Sequence, residues 1–242
     1  MSRVMGQPVP QTWSVSVLSY PASRDALLSA FSRSILGLYT DNASAPLNAH
    51  AGLRQLYKFG LYSHCAYVNG TAGSCTDTSA TYQFRPYTAI TSDMLSNYST
   101  YTDAIIRDTT FASSSSLGRS SHTAYCLLLL GSILSIISII TSVRSRPLIF
   151  GLGSLTFVPL SGMINSTWAL FVSASTAIVA CTSVLVSSAI WTVIIRRAKD
   201  VNSWTVQPAQ FPLGIKVATG VGLHCTWVAS GLLAISIIFH TL

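Results

Sequence analysis

Glutamate is absent from this 242-residue chain, in which all seven acidic residues are Asp. No carboxylate falls within its long apolar runs, where transporters and channels usually place ionisable groups. A Gly-rich phosphate loop, a His-x-x-x-His pair and a Cys-x-x-Cys pair are missing as well. Nothing therefore points to catalysis, and no catalytic residue, metal ligand set or cofactor is assigned. Charge of either sign is scarce: 9% of residues are charged against 50% hydrophobic. A soluble domain carries about a quarter charged residues, so this chain cannot cover itself with a solvated shell and belongs in a bilayer. Fourteen Lys and Arg give a formal net charge of +7. Arg24, Arg33, Arg54, Arg85, Arg107 and Arg119 stand singly and the clusters end apolar segments, a pattern that excludes nucleic acid as a partner.

Of the five cysteines, Cys65 and Cys75 alone lie outside a long apolar run. Three N-glycosylation sequons surround them, with Asn42, Asn69 and Asn97 as acceptors, and such acceptors are used only on a chain that enters the secretory lumen. The pair lacks the four-ligand spacing of a zinc site even with His64 adjacent, so a disulfide is expected. Cys126, Cys181 and Cys225 read as small packing residues of apolar spans.

The first 120 or so residues contain no sustained apolar run of the roughly twenty residues that a membrane span needs. Ala26 to Leu38 has the apolar spacing of a short amphipathic helix. Thr109 to Ser121, rich in serine, reads as a tether. Residues 41–121 are thus expected to form an ectodomain and 122–242 a membrane helix bundle. Spans are expected at about 123–143, 168–193 and 217–239, with Trp168 and Trp191 as interface anchors of the second. The stretch 148–164 pulls two ways. The positive-inside bias makes it a fourth span, placing Arg144, Arg146, Arg196, Arg197 and Lys199 together in the cytoplasm, whereas its shortness and internal Gly and Pro favour three.

Over roughly residues 40–240 the chain carries, in order, Gly60-Leu61-Tyr62-Ser63-His64-Cys65 with Cys75, Phe84-Arg85-Pro86, and Tyr125-Cys126. The run from Ser187 through Trp191 to Lys199-Asp200-Val201-Asn202-Ser203 follows, then Gly214, Gly220 and Trp227-Val228-Ala229. In this order and spacing they resemble the fungal claudin-like tetraspan family of the Sur-seven eisosome proteins and the PalI ambient-pH proteins. The resemblance implies a claudin-like helix bundle carrying a small ectodomain with an antiparallel sheet, stapled by Cys65 and Cys75 beside the Gly60, Leu61 and Tyr62 motif. It makes Lys199 to Ser203 part of a second extracellular loop, which favours three spans.

In that family a transmembrane helix comes first, whereas residues 1–40 here show no sustained apolar core. The segment is read as an atypical N-terminus that has lost the family's first span, through a truncated gene model or in a shortened paralogue. The implied function is a non-catalytic organiser of plasma-membrane domains, cell wall or stress responses, with residues 41–121 extracellular. Its partners would be membrane lipids, other membrane proteins met by lateral helix packing, and cell-wall components. The alternative is a membrane component of ambient-pH sensing, for which His64 and His122 are the candidates.

Overall fold

The computed structural model describes residues 16–19, 38–68, 73–80, 82–98, 110–145, 166–206, 211–212 and 215–241. Three long helices dominate: α2 (Ser114–Ser145), α3 (Ser166–Lys199) and α4 (Val221–Thr241), preceded by the short α1 (Pro86–Asp93). No proline interrupts any of the three long ones, and within lipid a helix is what satisfies each backbone donor and acceptor inside one segment. All three are long and apolar enough to cross a membrane. The protein is a multi-pass membrane protein, mainly helical.

Two boundaries differ from the sequence expectation. The serine-rich stretch is no tether: Ser114 opens α2, and Ser121 is buried, donating its hydroxyl to the Gly118 carbonyl (2.8 Å) and accepting from the Phe84 amide (2.9 Å). Serine near a helix start can bond local backbone in this way, so polarity alone does not end a helix. The last span begins at Val221 and not Val217, because Lys216–Thr219 is a strand. The expected helix at 26–38, apart from Leu38, and the ambiguous 148–164 lie outside the described residues.

The chain divides into two compact units, residues 1–123 with 189–225, and residues 124–188 with 226–242. The first holds a four-stranded antiparallel sheet built from β1 (Ser16–Ser19), β2 (Leu56–Phe59), β3 (His64–Tyr67) and β6 (Lys216–Thr219), in the order β3-β2-β1-β6. Between β3 and β6 in sequence, β4 (Thr205–Val206) and β5 (Phe211–Pro212) form a separate two-stranded ribbon. In β2 the period-two alternation buries Tyr57 and Phe59 and leaves Leu56 and Lys58 half-buried, the pattern of a strand with one face on a core. The sheet corrects the boundary drawn at residue 41. Ser16–Ser19, too short to register as an apolar run, is a central strand, with Leu18 opposite Tyr57 on one side and Val217 on the other.

This strand order decides the side on which 200–219 lies. β6 follows α3 and is bonded through β1 into the sheet of the Cys65 strand. Arg196 to Trp204 therefore lies in the same unit as the disulfide. The ladder of hydrogen bonds that β6 makes outweighs a topological bias of a few cations, and those cations sit favourably at the negative end of the α3 dipole.

In the second unit α2 and α3 are joined by short side chains. The Ser187 hydroxyl donates to the Ala124 carbonyl (2.6 Å), that of Ser138 donates to the Ser173 carbonyl (3.2 Å), and the Ser142 and Ser173 hydroxyls lie 2.6 Å apart. Ser188 and Ser230 meet between α3 and α4 at 3.4 Å. A Cβ on Gly131 would lie 2.6 Å from Val184 Cγ2 and 3.2 Å from the Ala180 carbonyl, so the helices approach as closely as a bare backbone allows. Gly131→Leu is expected to overpack this contact and destabilise the bundle by about 1–3 kcal/mol. Gly231→Leu, where a Cβ meets nothing within 4 Å, should leave the unfolding temperature in detergent micelles close to wild type.

Candidate functional site

The first unit contains every described residue of the cysteine motif. β2 and β3 form a hairpin closed by Gly60 to Ser63, with the Gly60 amide donating to the Ser63 carbonyl (2.9 Å). Tyr62 is 45% exposed at its tip. Cys65 and Cys75 are disulfide-bonded. Backbone bonds on either side lay the Cys75 segment along β3: Ala66 N–H to the Ser74 carbonyl (3.0 Å) and Thr76 N–H to the His64 carbonyl (2.9 Å). Gly73 is obligatory for this approach, since a Cβ there would stand 1.7 Å from the Ala66 carbonyl oxygen.

Behind the hairpin lies a buried ion pair. Arg54 Nη1 and Asp93 Oδ2 are 2.6 Å apart, and the side chains are 0% and 1% exposed. The carboxylate also accepts from the Tyr57 hydroxyl (2.9 Å) and the Asn48 amide (2.7 Å). Arg54 Nη2 donates to the carbonyls of Ala45 (2.5 Å) and Pro46 (3.2 Å). Three left-handed residues, Asn48 (φ 61°), His50 (φ 52°) and Gly52 (φ 114°), wind the 45–54 loop around the carboxylate. At Gly52 a Cβ would fall 2.9 Å from the Thr40 amide nitrogen. Burial first, and then the Asp93 charge, push the Tyr57 phenol far above its ordinary range, so it remains a donor. α1 delivers Asp93 because Pro86 starts it and Pro86, Ala89, Ile90 and Asp93 share its buried face.

A series of rings runs from the disulfide strand to α3. His64 lies between Tyr82 (centroids 5.9 Å apart) and Phe59, on which it stacks at 5.2 Å; Phe59 meets Phe84 edge-on at 5.1 Å, and Phe84 meets Trp191 edge-on at 6.1 Å. Trp191, expected as an interface anchor, is 4% exposed, and its ring packs within the unit. The side chain of Trp168 lies outside the described residues. His64 is buried, with Nδ1 2.9 Å from the Tyr82 hydroxyl and Nε2 meeting no polar partner among the described residues. Desolvation by burial lowers its pKa from 6.5 to about 4, so the imidazole is neutral throughout the neutral and alkaline range. His122 is half-buried in α2.

The Lys199 to Ser203 segment has a structural role at each of its last four positions. Asp200 accepts from the Thr110 hydroxyl (3.1 Å), Val201 is buried, and the Ser203 hydroxyl donates to the Asp200 carbonyl (3.0 Å). The Asn202 side-chain amide grips β6 at both ends of one residue, donating to the Val217 carbonyl (3.0 Å) and accepting from the Val217 amide (2.7 Å). Asn42 and Asn97 are exposed, and Asn69 lies outside the described residues. No cluster of three or more His, Cys or Asp side chains able to hold a metal ion occurs among the described residues.

The cysteine hairpin, the phenylalanine after it and the segment after α3 thus meet in one unit, although more than a hundred residues separate the first from the last. The family model described as SUR7/PalI family matches residues 13–239. The chain belongs to the SUR7/PalI family. The match begins upstream of β1, in keeping with the place of that strand in the sheet. No curated protein matches the chain, and no solved structure matches it.

Sequence reasoning missed the Arg54–Asp93 pair, the Phe84–Trp191 contact and the Asn202 grip. Only the last two carried a signal, as residues of motifs, and nothing in the spacing said which side chains they touch. Arg54→Met leaves a buried, uncompensated carboxylate and should destabilise the unit by about 3–5 kcal/mol. The same change at half-buried Lys58 should cost a small fraction of that, as read by thermal unfolding of the purified chain.

His64 adds a pH dependence of defined sign. Its folded pKa lies below its unfolded value, so the unfolded chain takes up the extra proton. Stability is complete above pH 6.5 and declines towards pH 4, by about 3 kcal/mol from this residue. The drop in unfolding temperature between pH 7.5 and 4.5 should be smaller in His64→Gln than in wild type.

Proposed function

We propose that this SUR7/PalI-family chain is a non-catalytic organiser of a plasma-membrane domain, in a fungal cell that must coordinate membrane with wall. Its disulfide-bearing unit faces the wall and its helices associate laterally with other membrane proteins. The observation that carries this reading is that β6, after α3, is bonded into the sheet that contains the Cys65 strand. A tied unit held at the ends of successive spans is suited to presenting a fixed surface. The exposed side chains of Leu130, Ile133, Ile136 and Ile140 on α2, and of Val228, Leu232, Ile235 and Ile238 on α4, leave broad apolar faces for lipid and neighbouring helices. Exposed Asn42 and Asn97 suit glycan acceptors on the outer face.

Ambient-pH sensing is the weaker reading, because burial keeps His64 neutral where an alkaline response would need a change of charge. The test is a deletion strain complemented by the tagged chain. Patchy surface fluorescence, sensitivity to wall stress on deletion, and labelling of Ser203→Cys by an impermeant maleimide on intact cells, in a background lacking Cys126, Cys181 and Cys225, are the expected results. Growth failure confined to alkaline medium would favour the pH reading. Labelling only after permeabilisation would remove the outward orientation on which both rest.

A further inference from the structure

The sidedness of α3 creates a charge problem. Its last turn carries Arg196, Arg197 and Lys199, and the strand order places them on the disulfide side. Asp200 is the only acidic residue after Asp108, and its carboxylate accepts from Thr110. Arg54–Asp93 is the one ion pair among the described residues, so no described carboxylate pairs with these three cations.

Their placement follows from the helix. With 3.6 residues per turn, Arg196, Arg197 and Lys199 fan over an arc of about 160°. Ile194, Ile195 and Ala198 occupy the other side and are 2%, 1% and 0% exposed, whereas Arg196 and Arg197 are exposed and Lys199 is half-exposed. The position is held by the Thr110 hydroxyl, which donates to the Arg197 carbonyl (2.8 Å). The apolar run from Phe171 to Ile195 measures roughly 37 Å at 1.5 Å per residue, enough to cross a hydrocarbon core of about 30 Å and emerge among the headgroups. The cations follow immediately. Complementing the helix dipole accounts for a cation in the last turn, but it does not require three spread over the whole exposed arc. Guanidinium forks match phosphate oxygens bidentately.

We propose that Arg196, Arg197 and Lys199 form a phosphate-binding collar that retains anionic phospholipid in the leaflet on the disulfide side of the membrane. This uses the sidedness of the fold and not the organising role, so either can fail without the other.

The test uses the full chain in detergent micelles, with retention of added dioctanoyl phosphatidylserine read by native mass spectrometry. Dioctanoyl phosphatidylcholine, inorganic phosphate and a soluble phosphomannan serve as competitors. Wild type should retain phosphatidylserine over phosphatidylcholine, and the R196Q/R197Q/K199Q variant should weaken that retention roughly tenfold or more. R144Q/R146Q should retain most of it. Equal retention by the triple variant, loss centred on R144Q/R146Q, or no preference over phosphatidylcholine would overturn the proposal. Displacement by inorganic phosphate at equal concentration would make the collar a free-anion site, and tighter binding of phosphomannan would make it a wall-glycan site; either also overturns it. Should the triple variant fail to fold, salt decides on wild type: retention must fall steeply as ionic strength rises, and insensitivity to salt sinks the idea.

Discussion

The buried carboxylate of Asp93 is the constraint around which the disulfide-bearing unit is arranged. One side chain receives a guanidinium, a phenol and a backbone amide, and its own carbonyl accepts from the Gly52 amide at 2.9 Å. Through these bonds α1, strand β2 and the 45–54 loop share a common centre. Burying two charges costs several kcal/mol each before they attract one another. The complete satisfaction of the carboxylate, and the two carbonyls that receive Arg54, are what make that cost tolerable. The left-handed backbone at Asn48, His50 and Gly52 is the geometric consequence, since the loop must curl tightly to bring its amides and carbonyls inward.

The disulfide has a more local effect. It closes a loop between residues ten apart, which in the chain-entropy picture contributes about 2.5–3 kcal/mol. That is comparable with the ion pair, but it acts on one edge of the sheet, whereas the pair acts on its back. The ring series from Tyr82 to Trp191 ties the same hairpin to α3. Three kinds of bond thus hold this unit together beside its apolar core.

The sequence made the helices legible because their signal is additive over twenty or more residues: length, absence of charge and absence of proline all agree. The staple was legible because Cys65 and Cys75 were the only cysteines outside apolar runs. Other features failed for identifiable reasons. Strand β1 is four residues of mixed polarity, and its place in the sheet comes from two partners, one of them some two hundred residues away. The Ser114 to Ser121 stretch looked like a tether because hydroxyls that bond the local backbone are indistinguishable, by composition, from hydroxyls that bond water. Arg54 and Asp93 were scattered charges until the fold placed them together. Charge counting at the end of α3 weighed the cations without the hydrogen-bonded strand that follows them.

Both margins of the four-stranded sheet are occupied. At β3 the Cys75 segment takes the outward backbone groups of His64 and Ala66. At β6 the Asn202 amide imitates a neighbouring peptide and takes those of Val217. An exposed margin is where sheets from separate molecules fuse into ribbons. With His64, Ala66 and Val217 occupied by the chain's own atoms, these margins offer a neighbouring copy fewer backbone groups to pair with, and close neighbours in a dense membrane patch would meet more readily through side chains and lipid, contacts that can be made and released.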